Sequence, residues 1–280
     1  MTIPESAIAF LLLLLCLLLF LRILLWFSGQ KKEPASVSGC VSGASKTIGD
    51  REVQEDVYGI KTALEGTMAV LADGMGKRFG GKIAAGTAVE AFLQIFENGD
   101  AFYNPQYSFR RAFQGANREI LNRLEEEQGC ASVAAVMVKD RRLYYAAAGN
   151  VKVAVYRNQE LVPVTSGHTI DVLARQKYEE GKLTRQEAAA LLEQHRLYNF
   201  VGQDGFCDIE FFDKPISLYG GEYILLMSDG LYETDRWKDM EDCLEGEGDC
   251  QQKAYQLIEL VNRSGKEDKD NAAVVVLQCR

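Results

Sequence analysis

The run AIAFLLLLLCLLLFLRILLWF, Ala7 to Phe27, is apolar except at Arg22, and it constrains this chain more than any other stretch. At a rise of about 1.5 Å per residue it spans about 30 Å as a helix, enough to cross the hydrocarbon of a bilayer. A transmembrane helix over residues 7–27 is therefore the leading expectation, with residues 1–6 as a short tail. The alternatives are a signal peptide and a buried core helix. Signal peptides open on positive charge and carry a shorter apolar core, whereas here Glu5 precedes a long one and no A-x-A site follows. Val37-Ser38-Gly39-Cys40 looks like a lipoprotein cleavage box, yet it lies too far past the apolar run, beyond Lys31, Lys32, Glu33 and Pro34. Arg22, Lys31 and Lys32 sit toward the C-terminal end of the span, so the positive-inside rule predicts a single-pass anchor with the rest of the chain in the cytoplasm.

Residues 28–39, SGQKKEPASVSG, are small and polar and read as a juxtamembrane linker. From Cys40 to Arg280 the composition is uniform, without repeats or low-complexity gaps, which leaves one domain. Seven cysteines form an odd set with no C-x-x-C, which argues against a disulfide framework and a structural zinc site and agrees with a reducing compartment. The net charge of −9 disfavours nucleic acid as a partner.

Strand-like runs occur at Val57 to Ile60, Thr67 to Ala72, Ala131 to Val138, Leu143 to Ala148, Val151 to Arg157, Cys207 to Phe212, Glu222 to Met227 and Ala272 to Leu277. Helical periodicity marks Lys82 to Phe96, Ser108 to Glu127, Ile170 to Gln194 and Gln251 to Arg263. The turns KDRR (Lys139 to Arg142) and RNQE (Arg157 to Glu160) leave almost no linking length, which predicts hairpins. Helices grouped apart from antiparallel strands predict sheets packed together with helices outside.

Asp73 ends the apolar run MAVLA and Asp229 ends YILLMS, and each is followed by glycine. Asp-Gly is a common turn dipeptide, so either alone could be only a turn. With Glu55-Asp56 before the strand VYGI and Asp270-Asn271 before AAVVVL, however, acidic groups gather at strand edges, where they would repel one another unless a cation lay among them. There are only two histidines and no clustered cysteines, so the donors are oxygens, which suit Mg²⁺ or Mn²⁺. Gly74 leaves its carbonyl room to turn inward. A phosphate loop does not fit the same stretch: Gly76-Lys77 is followed by Arg78 and Gly81-Lys82 by Ile83, where a Walker loop needs Ser or Thr.

The ordered set Arg51-x-x-x-Glu55-Asp56, LADGMG, GNVKVAVYR with LVPVTSGH, LLMSDGLYE and KDNAAVVVL resembles the type-2C metal-dependent Ser/Thr protein phosphatases over Cys40 to Arg280. The stretch Glu179 to His195 looks like the helical segment of compact bacterial-type members. The resemblance implies an α+β fold, a four-layer α-β-β-α sandwich of two antiparallel sheets flanked by helices, with a monomeric catalytic domain and phosphorylated Ser/Thr proteins as partners. It implies two Mn²⁺ or Mg²⁺ ions: Asp73 bridging them, the Gly74 carbonyl on one with Glu55 reaching it through water, Asp229 and Asp270 on the other, with Asp56 beside Glu55 also counted among the metal-site residues. Arg51 would grip the substrate phosphate, and a bridging water would attack phosphorus in line with the departing oxygen.

Two departures qualify this picture. Met75 stands where animal members carry a His, as it commonly does in bacterial-type members, so no general acid is named. His168 falls in the T-x-D-H-like block, where a hydrogen-bonding role is the better reading. The family's Gly-Asp-Ser-Arg appears as Gly149-Asn150-Val151-Lys152, which puts a third metal at Asn150 in doubt. Two functions follow: an active phosphoprotein phosphatase, or a weakened or silent relative that binds phosphoproteins or other partners at the membrane.

Overall fold

The computed structural model describes residues 40–124, 128–193, 195–234 and 237–279. The apolar run 7–27 and the linker 28–39 lie outside these residues, and among the described residues no helix is long and apolar enough to cross a membrane.

Two antiparallel sheets form the centre. One has the order β1 (Cys40–Thr47), β11 (Ala272–Cys279), β10 (Tyr223–Met227), β6 (Lys152–Arg157), β7 (Glu160–Pro163). The other has β2 (Val57–Ala63), β3 (Gly66–Gly76), β4 (Gly129–Lys139), β5 (Arg142–Ala148), β8 (Glu210–Phe211), with β9 (Ile216–Ser217) also pairing with β5. Strand alternation divides the apolar residues between two layers. Ala69 and Leu71 of β3, Ala134 and Val136 of β4, Ile224 and Leu226 of β10, and Val275 and Leu277 of β11 fill the space between the sheets. Their neighbours Met68, Val70, Val133, Ala135 and Met137 face helices α1 (Gly80–Glu97) and α2 (Pro105–Arg123), where Phe92 and Phe113 meet edge to face at 4.8 Å. Leu225, Met227, Val274 and Val276 face α6 (Trp237–Glu245) and α7 (Cys250–Arg263) through Met240, Leu257 and Val261. These are the four predicted layers. Because each central strand is buried on both faces, it reads in sequence as a continuous apolar run.

Both tight hairpins form. Asp140 and Arg141 (φ 50° and 56°), and Asn158 and Gln159 (φ 51° and 65°), take the left-handed conformation that two-residue turns require to match strand twist.

Four expectations need correction. The long helix predicted from Ile170 is two, α3 (Ile170–Glu179) and α4 (Arg185–Leu191). Gly181 at φ 71° ends the first, and a capping box between Thr184 and Glu187 starts the second. The strand predicted over Cys207 to Phe212 pairs only at Glu210–Phe211. Asp73 does not end its strand, since β3 continues in register with β4 as far as Gly76, and Asp73 lies opposite Ser132. Finally, Cys40 and Cys279 form a disulfide, because the antiparallel register of β1 and β11 sets them opposite each other with Cα atoms 4.4 Å apart.

Candidate active site

β2 begins, β3 and β10 finish, and β11 begins at one end of the sandwich, so antiparallel pairing alone brings four separate chain segments to one place. There a cleft of ≈ 410 Å³ is lined by Arg51, Glu55, Asp73, Gly74, Met75, Asp229, Asp270 and Asn271 among others. A larger groove of ≈ 590 Å³ between α1 and α2 holds arginines and glutamates on an exposed helix surface, without converging carboxylates. The converging carboxylates lie in the smaller cavity.

Each acidic group is held by its surroundings. Asp73 comes from β3, and burial, then the charges of Asp229, Asp56 and Asp270, push its carboxyl well above the usual range. Asp229 is the first residue of the short helix α5 (Asp229–Tyr232), directly after β10; burial, then Glu233 and Asp270, raise it to about 6. Glu55 is raised chiefly by burial, against the lowering effect of the Lys82 and Gly81 backbone N–H groups at the start of α1. Asp56 does not line the cleft. It is buried beneath it, with one oxygen accepting from Ser228 Oγ at 2.8 Å, and burial above all raises it to about 7.

Glycine makes this closeness possible. A Cβ on Gly74 would stand 2.2 Å from the Gly81 carbonyl oxygen, and one on Gly81 would stand 2.5 Å from Glu55 Oε1. Gly74 is thus required by the approach of α1 to β3, a reason the sequence alone does not disclose.

The donor set fits a hard divalent cation. The converging side chains are carboxylates, Glu55 Oε1 and Asp56 Oδ1 are buried without hydrogen-bond partners, and the acidic groups raise one another's proton affinity. Among the described residues, no three acidic, His or Cys side chains already surround a common point as a finished cage. Internal donors hold two carboxylates instead. Arg51 forks onto Asp270, Nε to Oδ1 at 3.0 Å and Nη2 to Oδ2 at 3.1 Å, and Asn150 Nδ2 donates to Asp229 Oδ2 at 2.8 Å. Asn150 is itself fixed, with its carbonyl accepting from the Tyr232 hydroxyl at 2.9 Å and its N–H donating to Ser132 Oγ at 3.3 Å.

His168 lies outside the cleft lining. Its Nδ1 accepts from the Gly149 N–H at 3.0 Å and burial lowers its pKa, so it shapes the turn that presents Asn150. Sequence reasoning missed two supporting residues. Ser228 links Asp56 to β11 through Ala273, and Asn271 accepts from the Glu55 N–H at 2.7 Å while donating to the Ile48 carbonyl at 2.8 Å. Both sit beside named acids in the quoted motifs, which was the available signal.

No protein-family model matches the chain. It is 27% identical over 214 residues to the protein phosphatase PhpP of Streptococcus pneumoniae, covering 75% of this chain and 85% of that protein. It is 25% identical over 216 residues to the serine/threonine phosphatase Stp of Listeria welshimeri, covering 74% and 83%. A serine/threonine phosphatase of S. agalactiae superposes with a TM-score of 0.75 at 22% identity, over 86% of this chain and all of that one. The catalytic domain of the phosphatase PstP in complex with two manganese ions gives 0.65 at 22% identity, over 85% and 97%. In sequence the chain is similar to bacterial serine/threonine protein phosphatases, and its fold is similar to that of their solved structures.

Proposed function

We propose that this chain hydrolyses phosphoserine and phosphothreonine in proteins, with Mn²⁺ or Mg²⁺ held by Asp73, Asp229, Asp270, Glu55 and the Gly74 carbonyl, and that residues 7–27 anchor it in a membrane with this domain on the cytoplasmic side. The observation that carries the catalytic reading is the convergence of these acidic groups from separate segments on one cleft with Arg51 at its rim. The anchor rests on the hydropathy of the run and on the charge asymmetry of its flanks.

Bound divalent ions would supply Lewis acidity toward water and the phosphoryl oxygens. The chain's own contribution is binding and orientation. The guanidinium of Arg51 matches two oxygens of a phosphate as it matches the two oxygens of Asp270, so substrate and Asp270 compete for one fork. Asp73 stands centrally, close enough to feel Asp229, Asp56 and Asp270 at once. Asn271 and Ser228 hold Glu55 and Asp56 in place. Among the described residues, no Ser, Cys or His lines the cleft, in keeping with direct attack by water.

The test is turnover of a generic phosphomonoester and of a phosphothreonine peptide by the full chain, with Mn²⁺ and after chelation. Activity should need the added metal, and Asp73→Asn should remove nearly all of it along with metal binding. Wild-type turnover in metal-free, chelator-treated buffer would refute the metal assignment. The second reading, a weakened or silent domain that binds phosphoproteins or partners, draws on Asn150 standing where the family pattern has a carboxylate. It predicts phosphopeptide binding without turnover.

A further inference from the structure

A second cavity opens beside the cleft and shares Met75 and Gly76 with it. It measures ≈ 430 Å³, and its walls are Met75 and Cys130 at the paired ends of β3 and β4, Ile120, Leu121 and Leu124 at the end of α2, and Phe200. Among the described residues no charged side chain lines it. Strand alternation ties this cavity to the carboxylates. Asp73 and Met75 are two apart on β3, so their side chains leave the same face about 7 Å apart, and their antiparallel partners Ser132 and Cys130 share that face. Cys130 lies close enough to the acidic groups that, after burial, the charges of Asp73 and Glu55 push its thiol up to about 11. One strand end thus presents a carboxylate and, two residues on, an apolar floor.

Phe200 belongs to a segment held by its neighbours on both sides. Val201 and Ala131 exchange N–H to carbonyl bonds at 2.8 and 2.9 Å, and the Gly202 N–H donates to Asn117 Oδ1 of α2 at 2.6 Å. At φ 98°, Gly202 passes so close to α2 that a Cβ there would stand 2.9 Å from Ile120 Cγ2. The walls are in place before anything enters, which spares an incoming side chain the cost of ordering them. Leu121 is 40% exposed, so apolar surface of the lining still meets water, and covering it is favourable.

We propose that this cavity receives an apolar side chain of the protein substrate, two positions from the phosphorylated residue. The proposal rests on the phosphatase reading above. In an extended segment alternate side chains point the same way and lie about 7 Å apart, which is the spacing of Asp73 and Met75. A segment with its phosphate over Asp73 therefore carries the side chain two positions away over Met75. Continuity with the cleft selects the substrate as occupant, because whatever fills this cavity lies directly beside the phosphorylated residue. Leucine, isoleucine or methionine matches the lining, whereas a charged side chain would lose water there and find no charged partner. The cavity sorts phosphoproteins by the residue that flanks the phosphate and takes no part in the attack of water.

The test compares kcat/KM of the full chain with Mn²⁺ on short phosphothreonine peptides carrying Leu two positions before the phosphorylated residue, two positions after it, or at neither, with Ser elsewhere. Acetyl-phosphothreonine amide, which has no flanking side chain, is the reference substrate. Leu at one of the two positions should raise kcat/KM about tenfold or more over Ser, the scale of one side chain buried in an apolar pocket. Leu121→Glu and Phe200→Ser, both at partly exposed positions, should each reduce that preference below about threefold and turn over the reference substrate as wild type does. Equal kcat/KM on all the peptides, or a preference that survives in both variants, overturns the proposal, and turnover of the reference substrate then leaves the phosphatase reading standing. Failure of wild type to turn over any of these substrates overturns that reading, and the assigned occupant with it.

Discussion

Replacing Asp56 by Asn should stabilise the metal-free protein above neutral pH and change little in acid. Asp56 is fully buried, and one of its oxygens has no partner. Its carboxyl is raised from the ordinary 3.8 to about 7, first by burial and then, against the helping hydroxyl of Ser228, by Asp229 and Asp270. The sign follows from linkage: the folded protein keeps this proton to higher pH than the unfolded chain, so the stability it contributes is complete below about pH 4 and is lost as pH rises through about 7. At about 1.4 kcal/mol per tenfold change in proton affinity, the full difference is worth roughly 4 kcal/mol. Asp73 and Asp229 share the same burden, so an effect of about 2–4 kcal/mol is expected for Asp56 alone. Asn is neutral throughout, and its amide oxygen can still accept the Ser228 hydroxyl. Urea unfolding in chelator at about pH 5 and about pH 8.5 reads the difference directly, because two-state stabilities can be subtracted. Wild type should lose stability between the two pH values and Asp56→Asn should lose about 2–3 kcal/mol less, since part of the full difference is already gone at pH 5. An identical loss in both proteins would refute the reasoning, since the ionised carboxylate of Asp56 would then carry no penalty.

Gly74→Ala should cost at least about 1–3 kcal/mol and abolish activity, because its Cβ would meet backbone, not a side chain that can move, at 2.2 Å; urea denaturation with an activity assay checks both. Asn150→Asp would replace a donor 2.8 Å from Asp229 Oδ2 with a second carboxylate. In chelator it should lower the thermal midpoint, with Mn²⁺ it should raise metal affinity and turnover, and superimposable metal titrations of variant and wild type would count against any metal at this position. The Cys40–Cys279 bridge closes a sequence separation of 239 residues, for which chain entropy allows at most about 5 kcal/mol. Reduction should therefore lower the thermal midpoint of wild type and leave Cys279→Ser unaffected. Complete alkylation of both thiols in native protein prepared without reductant would show the bridge unformed.

The parts of the fold that were readable are those where burial on both faces forces the composition. β3, β4, β10 and β11 are runs of Ala, Val, Leu and Met because every side chain meets either the opposite sheet or a helix layer. β1, with the sequence CVSGASKT, escaped because it is an edge strand, and at Gly43 a Cβ would stand 2.2 Å from the backbone of α7, so bulk is excluded where a strand signature would show it. α6, WKDMEDCLE, escaped because only Met240 and Leu244 are buried among its acidic residues. Asp73 misled differently. Asp-Gly reads as a turn, yet the strand runs through it, so local backbone preference is overridden there by pairing with β4.

The same conflict explains why the acidic residues of the site were legible and their supports were not. A carboxylate inside a strand between two apolar sheets costs stability unless something offsets it, so its presence in such a run signals a role outside folding. Ser228 and Asn271 carry no such cost, since each is a small polar residue satisfied by backbone partners, and in sequence they pass for ordinary turn residues. Only the three-dimensional register reveals that Ser228 reaches Asp56 across 172 positions and Asn271 reaches Glu55 across 216. The pairings of Arg51 with Asp270 and of Asn150 with Asp229 belong to this class as well. They offset charge by internal donors, and a cation or a phosphate would act by displacing those donors, so the strength of the two contacts sets how readily the cleft accepts either.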